Sequence, residues 1–234
     1  MKTLTKYLNE KLVVNQRFDE KLIINKDYKD VHAYTCSPKT FDELRNIIED
    51  RYDKLGPGTK TKPINFNDVD VSNIDSFYNE NNNRGIFAGT KFEYIDISNW
   101  NVLNVKDISY MFCGCEQLKS VGDLSSWDVS NVKNMSDMFW SCSNLVSVGD
   151  LSNWDVSNVE DMKRMFCICK QLKSVGDLSN WNVSKVENMR SMFSYCRNIK
   201  SVGDLSNWNV SNVKYMGAMF YESGITNIPK WYKK

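Results

Sequence analysis

The sequence predicts a right-handed α/β solenoid of stacked 27-residue coils, each a short parallel strand plus a short helix, with an N-terminal helical cap. Three observations predict it. Trp100, Trp127, Trp154, Trp181 and Trp208 each open a similar stretch at a 27-residue period, typified by WDVSNVEDMKRMFCICKQLKSVGDLSN. A unit of that length cannot bury an apolar face alone and does so by stacking on copies of itself. Inside each unit, apolar residues fall at helical spacing and give way to a short apolar stretch ending in Gly-Asp. Ahead of the repeats, SPKTFDELRNIIEDRYDKLG has the pattern of one amphipathic helix with start and stop signals.

The elements divide into an N-terminal arm or hairpin at 1–34, a helical cap and linker at 35–68, and coils at 69–234 whose first and last members are degenerate. In the arm, NEKLVVN at Asn9–Asn15 echoes DEKLIIN at Asp19–Asn25, and each reads as a short strand or a docking peptide. His32, the only histidine, has no Ser or Cys arrangement around it that suggests a triad. In the cap, Thr40 and Glu43 form a capping box, and Phe41, Leu44, Ile47, Ile48 and Leu55 form the apolar stripe. Leu55–Gly58 (LGPG) stops the helix, which is expected to cover the open end of the coils.

The coil at Val156–Cys169 reads as a short helix with Val159, Met162, Met165, Phe166 and Cys169 on one stripe. Ser157 with Glu160, and Ser184 with Glu187, read as capping boxes. Ser130 and Ser211 are followed by Lys133 and Lys214, so those coils are expected to begin less firmly. The following LKSVGDLSNW reads as a short parallel strand before the glycine, and strand plus helix in so few residues is a coil of leucine-rich-repeat type. Gly122, Gly149, Gly176 and Gly203 are expected to supply a bulge or a positive φ. The Trp of each coil reads as a core or coil-joining residue.

Composition restricts function. With 30 Lys plus Arg against 29 Asp plus Glu, the net charge of +1 offers no field for phosphates or anionic lipid. Nucleic acid and membrane insertion are therefore not expected. No secretory apolar segment is read near the start, which points to a cytoplasmic or virion-associated protein, with the cell surface through an unrecognised export route as the alternative.

Near-identical coils repeat one chemistry, whereas catalysis needs different groups converging on a point. No enzyme, cofactor or metal site is expected. The periodic Cys115, Cys142, Cys169 and Cys196 read as core packing, with a disulfide or a zinc site using Cys113/Cys115 and Cys167/Cys169 as alternatives. The candidate partner surface comprises the Lys119, Val146, Lys173 and Lys200 ladder and the Asp123, Asp150, Asp177 and Asp204 ladder. For the Asp ladder, turn capping is the plain reading and a calcium ladder the alternative. The position after each repeat Phe varies as Cys113, Trp140, Cys167, Ser194 and Tyr221, which adds Trp140 and Tyr221 to the candidate surface.

The pattern W-[DN]-V-S-N-V-x-x-M-x-x-M-F-x-x-C-x-x-L-x-S-V resembles the BspA-like leucine-rich-repeat family over about residues 69–228. The chain departs from it at Leu103, Tyr110 and Lys185, at Ser223 in place of the ladder Cys, and in the polar Asn79–Arg84 insertion. The resemblance implies a surface or adhesion protein of bacteria, phages or other mobile elements, with no catalytic residues. The expected function is accordingly a non-catalytic binding or adhesion module with a protein or glycan partner. A structural or assembly component of a phage virion or intracellular scaffold, using virion or self-association contacts, is the alternative.

Overall fold

Hydrogen bonds between coils, rather than within them, organise the chain. The computed structural model describes residues 22–23 and 32–233. Along it, parallel bridges climb from Ser76 through Asp107, Asn134, Asp161 and Asn188 to Tyr215, in 27-residue steps from Asp107 onward. A second column climbs through Tyr94, Ser120 and Ser147. Beside the first column, the N–H groups of Met135, Asp137, Phe139 and Ser141 donate to the carbonyls of Asp161, Lys163, Met165 and Cys167 at 2.7–2.9 Å. The same row of four recurs one coil on, from Met162 to Ile168, and again from Met189 to Tyr195.

These bonds displace the helix expected at Val156–Cys169. The coil is instead a run of linked turns, in which the N–H groups of Met165, Cys167 and Cys169 return to the carbonyls of Met162, Arg164 and Phe166. Arg164 (φ 51°) and Ile168 (φ 67°) adopt left-handed backbone, which interrupts an i→i−4 ladder and sends alternate N–H groups along the stack. The helix-like spacing of Val159, Met162, Met165, Phe166 and Cys169 arises because turns of three residues also return side chains to one side. All five are fully buried. The strand expected before each glycine shrinks to isolated bridges at Ser120 and Ser147, and none forms before Gly176 or Gly203.

The capping boxes are replaced too. Asp155 Oδ1 accepts from the Ser157 N–H at 3.0 Å, and Asn182 Oδ1 from the Ser184 N–H at 3.2 Å. The residue after each Trp thus closes an Asx turn, which a short polar side chain makes with the backbone two residues on. Lys133 and Lys214 pair across the stack with Glu160 at 3.8 Å and Glu187 at 2.7 Å.

At the N-terminal side, β1 (Leu22–Ile23) pairs antiparallel with β2 (His32–Ala33). The Asn9–Asn15 echo lies outside the described residues. Next comes α1 (Phe41–Leu55), the one α-helix among the described residues. Thr40 caps it by accepting from the Glu43 N–H at 3.1 Å, and Gly56 ends it at φ 73°. Leu44 and Ile48 are fully buried and Phe41 and Ile47 partly so, but Leu55 is 62% exposed, because the last turn overhangs the core. β3 (Ile64–Asn65) pairs in parallel with β6 (Ile95–Asp96), while β4 (Tyr78–Asn79) and β5 (Arg84–Gly85) form a hairpin around the polar insertion.

The core is a set of one-residue columns. Phe87, Phe112, Phe139, Phe166, Phe193 and Phe220 stack with ring centroids 5.1–6.1 Å apart. The Trp column is buried, and each indole N–H donates to a carbonyl of the preceding coil, as Trp154 does to Leu124 at 2.8 Å. Trp231 extends it past the last full repeat, stacking on Trp208 at 6.2 Å and donating to Leu205 at 2.7 Å. The thiols of Cys142, Cys169 and Cys196 likewise reach the carbonyls of Phe112, Phe139 and Phe166 at 2.8–3.1 Å.

Candidate partner-binding face

Because the repeat dictates most side chains, the positions that escape it are the informative ones. Besides the glycine of each Gly-Asp pair, two left-handed positions recur from coil to coil. The first is Tyr110, Asp137, Arg164, Ser191 and Ala218; the second is Gly114, Ser141, Ile168, Tyr195 and Glu222, with φ of 50–72° throughout. Left-handed backbone disfavours most side chains, by roughly 1–2 kcal/mol per residue. These positions nonetheless carry aromatic and charged groups, and they alternate with the variable position after each Phe.

Four coils contribute here. Tyr78 stacks on Tyr110 at 5.4 Å, the Arg164 guanidinium lies 5.2 Å over the Trp140 ring, and Arg164 Nη2 donates to Asp137 Oδ2 at 3.1 Å. Arg164 Nε also lies 2.6 Å from Asp137 Oδ1, a close ionic approach beside the directed bond. The Asp137 side chain is 1% exposed and that of Arg164 32%, so the pair presents its cationic member to solvent. Burial, and then the Asp137 charge, hold the Tyr110 hydroxyl above its ordinary pKa. Burial likewise pushes the neighbouring Cys113 and Cys167 thiols to about 11, leaving them protonated at neutral pH. At the far end, Tyr195 meets Tyr221 edge-to-face at 5.4 Å, and Tyr221 is 54% exposed.

The Lys119, Val146, Lys173 and Lys200 ladder lies elsewhere on the coil. Val146 N–H donates to Lys119 and Lys173 N–H to Val146, so the first three form a backbone column. Lys119 is held by Glu93 at 2.6 Å, which raises its pKa, and its ammonium sits 5.6 Å from the Tyr94 ring centroid. Val146 is 38% exposed, and Lys200 Nζ reaches the Arg197 carbonyl at 3.2 Å.

The Asp ladder has a backbone role. Asp123, Asp150, Asp177 and Asp204 each accept the N–H of a Ser two residues on, at 2.9–3.0 Å. Hydrogen bonding to Ser179 and Ser206 holds the Asp177 and Asp204 carboxyls below their ordinary pKa. Gly149, Gly176 and Gly203 (φ 86–88°) pass so close to Asp123, Asp150 and Asp177 that a Cβ would overlap the carboxylate oxygen. Among the described residues, no three His, Cys, Asp or Glu side chains gather as a metal site would require. The seven cysteines are free thiols, and burial raises the pKa of the whole Cys115–Cys196 ladder.

Sequence reading found Trp140 and Tyr221 but missed Tyr110, Asp137 and Arg164. Their signal was present: at one repeat position Tyr, Asp, Arg, Ser and Ala replace one another while Met and Phe on either side persist.

The family model "Mycoplasma protein of unknown function, DUF285" matches residues 59–174 and again 144–232. The chain belongs to this family. The two DUF285 matches span every coil and leave α1 outside. Among solved structures, a leucine-rich repeat protein from Eubacterium ventriosum is similar at 23% identity and a TM-score of 0.42, over 64% of this chain and 36% of that one. The DUF285 chain thus spans about a third of that protein's length. No curated protein matches it. Among the described residues, no helix is long and apolar enough to cross a membrane.

Proposed function

We propose that the stacked coils form a leucine-rich-repeat-like solenoid that works as a non-catalytic binding module, presenting one face to a protein or glycan partner in the manner of BspA-like adhesion proteins. The observation that carries this reading is the cluster of Tyr78, Tyr110, Asp137, Trp140 and Arg164, where the repeat relaxes and half-buried aromatic and arginine side chains collect. Trp, Tyr and Arg are enriched among the few residues that carry most of the binding energy of protein interfaces. Aromatic faces also stack on sugar rings, so glycan remains within the proposal. The Lys119–Lys200 ladder is proposed as a flank of this surface.

The test is affinity capture with full-length protein against host-surface extract and, separately, against lysate or particles of the producing cell. The Trp140→Ala/Tyr221→Ala variant serves as a control in each case. Specific capture from surface extract that the variant loses supports adhesion. Capture confined to virion or cytoplasmic components points to assembly, and capture that the variant retains rules out this face.

A further inference from the structure

The two ends of the hydrogen-bonded row are treated differently. In every interior coil the row's N–H groups point toward the following coil and its carbonyls toward the preceding one, so the aligned peptides leave bare carbonyls at the first coil and bare N–H groups at the last. At the first coil the carbonyls are covered: Arg45 Nη1 donates to Ile86 at 2.7 Å and to Ala88 at 3.4 Å, and Arg84 Nη2 to Ala88 at 3.2 Å. At the last coil the corresponding N–H groups belong to Met216, Ala218, Phe220 and Glu222. None has an acceptor among the described residues. Trp231 covers the Trp208 side of this coil and Tyr232 meets the Phe220 ring edge-on at 5.2 Å, but neither supplies an acceptor to the row. Val210, Val213 and Met216 are partly exposed, whereas their counterparts Val183, Val186 and Met189 are at most 1% exposed.

From this we infer that the Met216–Glu222 edge is a docking site for an extended polypeptide segment of another protein, taken up through a row of its backbone carbonyls. The same donors one coil earlier, at Met189, Ser191, Phe193 and Tyr195, are each met by a carbonyl at 2.7–3.1 Å. A second copy does not fit. Each carbonyl from Tyr215 to Tyr221 already accepts an N–H, so two such edges would oppose donor to donor. At the other end of a second copy, the Ile86 and Ala88 carbonyls are already held by Arg45. A small anion does not fit either, because the cations at this edge are engaged: Lys214 with Glu187 and Arg197 with Glu222. A segment adding its carbonyls to the edge while covering Val210, Val213 and Met216 satisfies both features, as in recognition by strand addition. This edge is separate from the aromatic face proposed above.

Amide hydrogen exchange on the full-length protein tests the inference, with a synthetic peptide of residues 187–199 as probe, because this segment carries the carbonyls that meet the row from Met162 to Ile168. In the free protein, Met216, Ala218, Phe220 and Glu222 should exchange at least about a hundredfold faster than Met189, Ser191, Phe193 and Tyr195. Addition of about 1 mM peptide should slow these four at least tenfold, and a scrambled peptide should not. Protection of the four amides in the free monomer would mean an acceptor from within the chain and overturns the inference. Protection that rises with protein concentration as dimers sediment overturns it in favour of a second copy. Rapid exchange unchanged by the peptide also overturns it.

Discussion

Single residues in this chain act across coils. Gly176 and Asp150 are one device: Asp150 closes an Asx turn, and the glycine of the next coil leaves room for its carboxylate. Gly176→Ala should cost about 2–3 kcal/mol in urea unfolding, from left-handed backbone and the Cβ overlap together, while Lys173→Ala at an exposed neighbour should stay within about 0.5 kcal/mol. Adding Asp150→Ala to Gly176→Ala should recover part of the loss, so a double-mutant cycle reads the overlap separately from the backbone strain. The thiol column acts similarly. With Cys115, Cys142, Cys169 and Cys196 buried, hydrogen-bonded and held protonated, native-state alkylation followed by mass spectrometry should label Cys36 and Cys113 well before any of those four.

At the scale of elements, α1 is joined to the coils by polar contacts as much as by Leu44 and Ile48. Arg45, although buried, spends its donors on the Ile86 and Ala88 carbonyls and on Glu49. Arg45→Met keeps volume but leaves the Ile86 carbonyl without a donor and the Ala88 carbonyl to Arg84 alone, and should lower stability by about 1–3 kcal/mol in chemical unfolding. Further along the helix, Arg51 grips Asp68 through both nitrogens, Nη1 to Oδ1 at 2.6 Å and Nη2 to Oδ2 at 2.8 Å. Burial alone would raise the Asp68 pKa, but Arg51 and Thr35 more than offset it, and the carboxyl sits below its ordinary 3.8. A carboxyl with a depressed folded pKa adds stability that is complete above its unfolded pKa and disappears as pH falls through the folded one. Asp68→Asn should therefore flatten the acid limb of the Tm profile below about pH 4 and lower Tm at neutral pH.

For the whole molecule, the absence of α-helix from the described coils, which hold only a 3-10 turn at Leu205–Asn207, has a direct optical consequence. A short helix in each coil would give strong far-ultraviolet signals at 208 and 222 nm, on the order of several times that of one three-to-four-turn helix. Among the described residues only the 15 of α1 are α-helical, so the coils should add no α-helical signal of their own to the circular dichroism spectrum. A helix content several times larger would contradict the turn-based coil.

Much of this was legible from one chain because the repeat prints its packing in the sequence. The 27-residue period, the buried Val, Met, Phe, Cys and Trp positions and the α1 boundaries follow from spacing and cap residues alone, since burial depends on which side chains recur. Spacing could not decide local conformation. Val, Met, Met, Phe and Cys at three- and four-residue intervals suit an amphipathic helix and a run of three-residue turns equally. The choice between them turns on where each N–H finds its acceptor, and the carbonyls that capture Met162, Arg164 and Phe166 belong to a coil 27 residues further on and exist as partners only once the coils stack. For the same reason tertiary structure alone drew Tyr110, Asp137, Arg164 and Trp140 from three coils into one cluster, and alone left the N–H row of Met216–Glu222 without acceptors among the described residues.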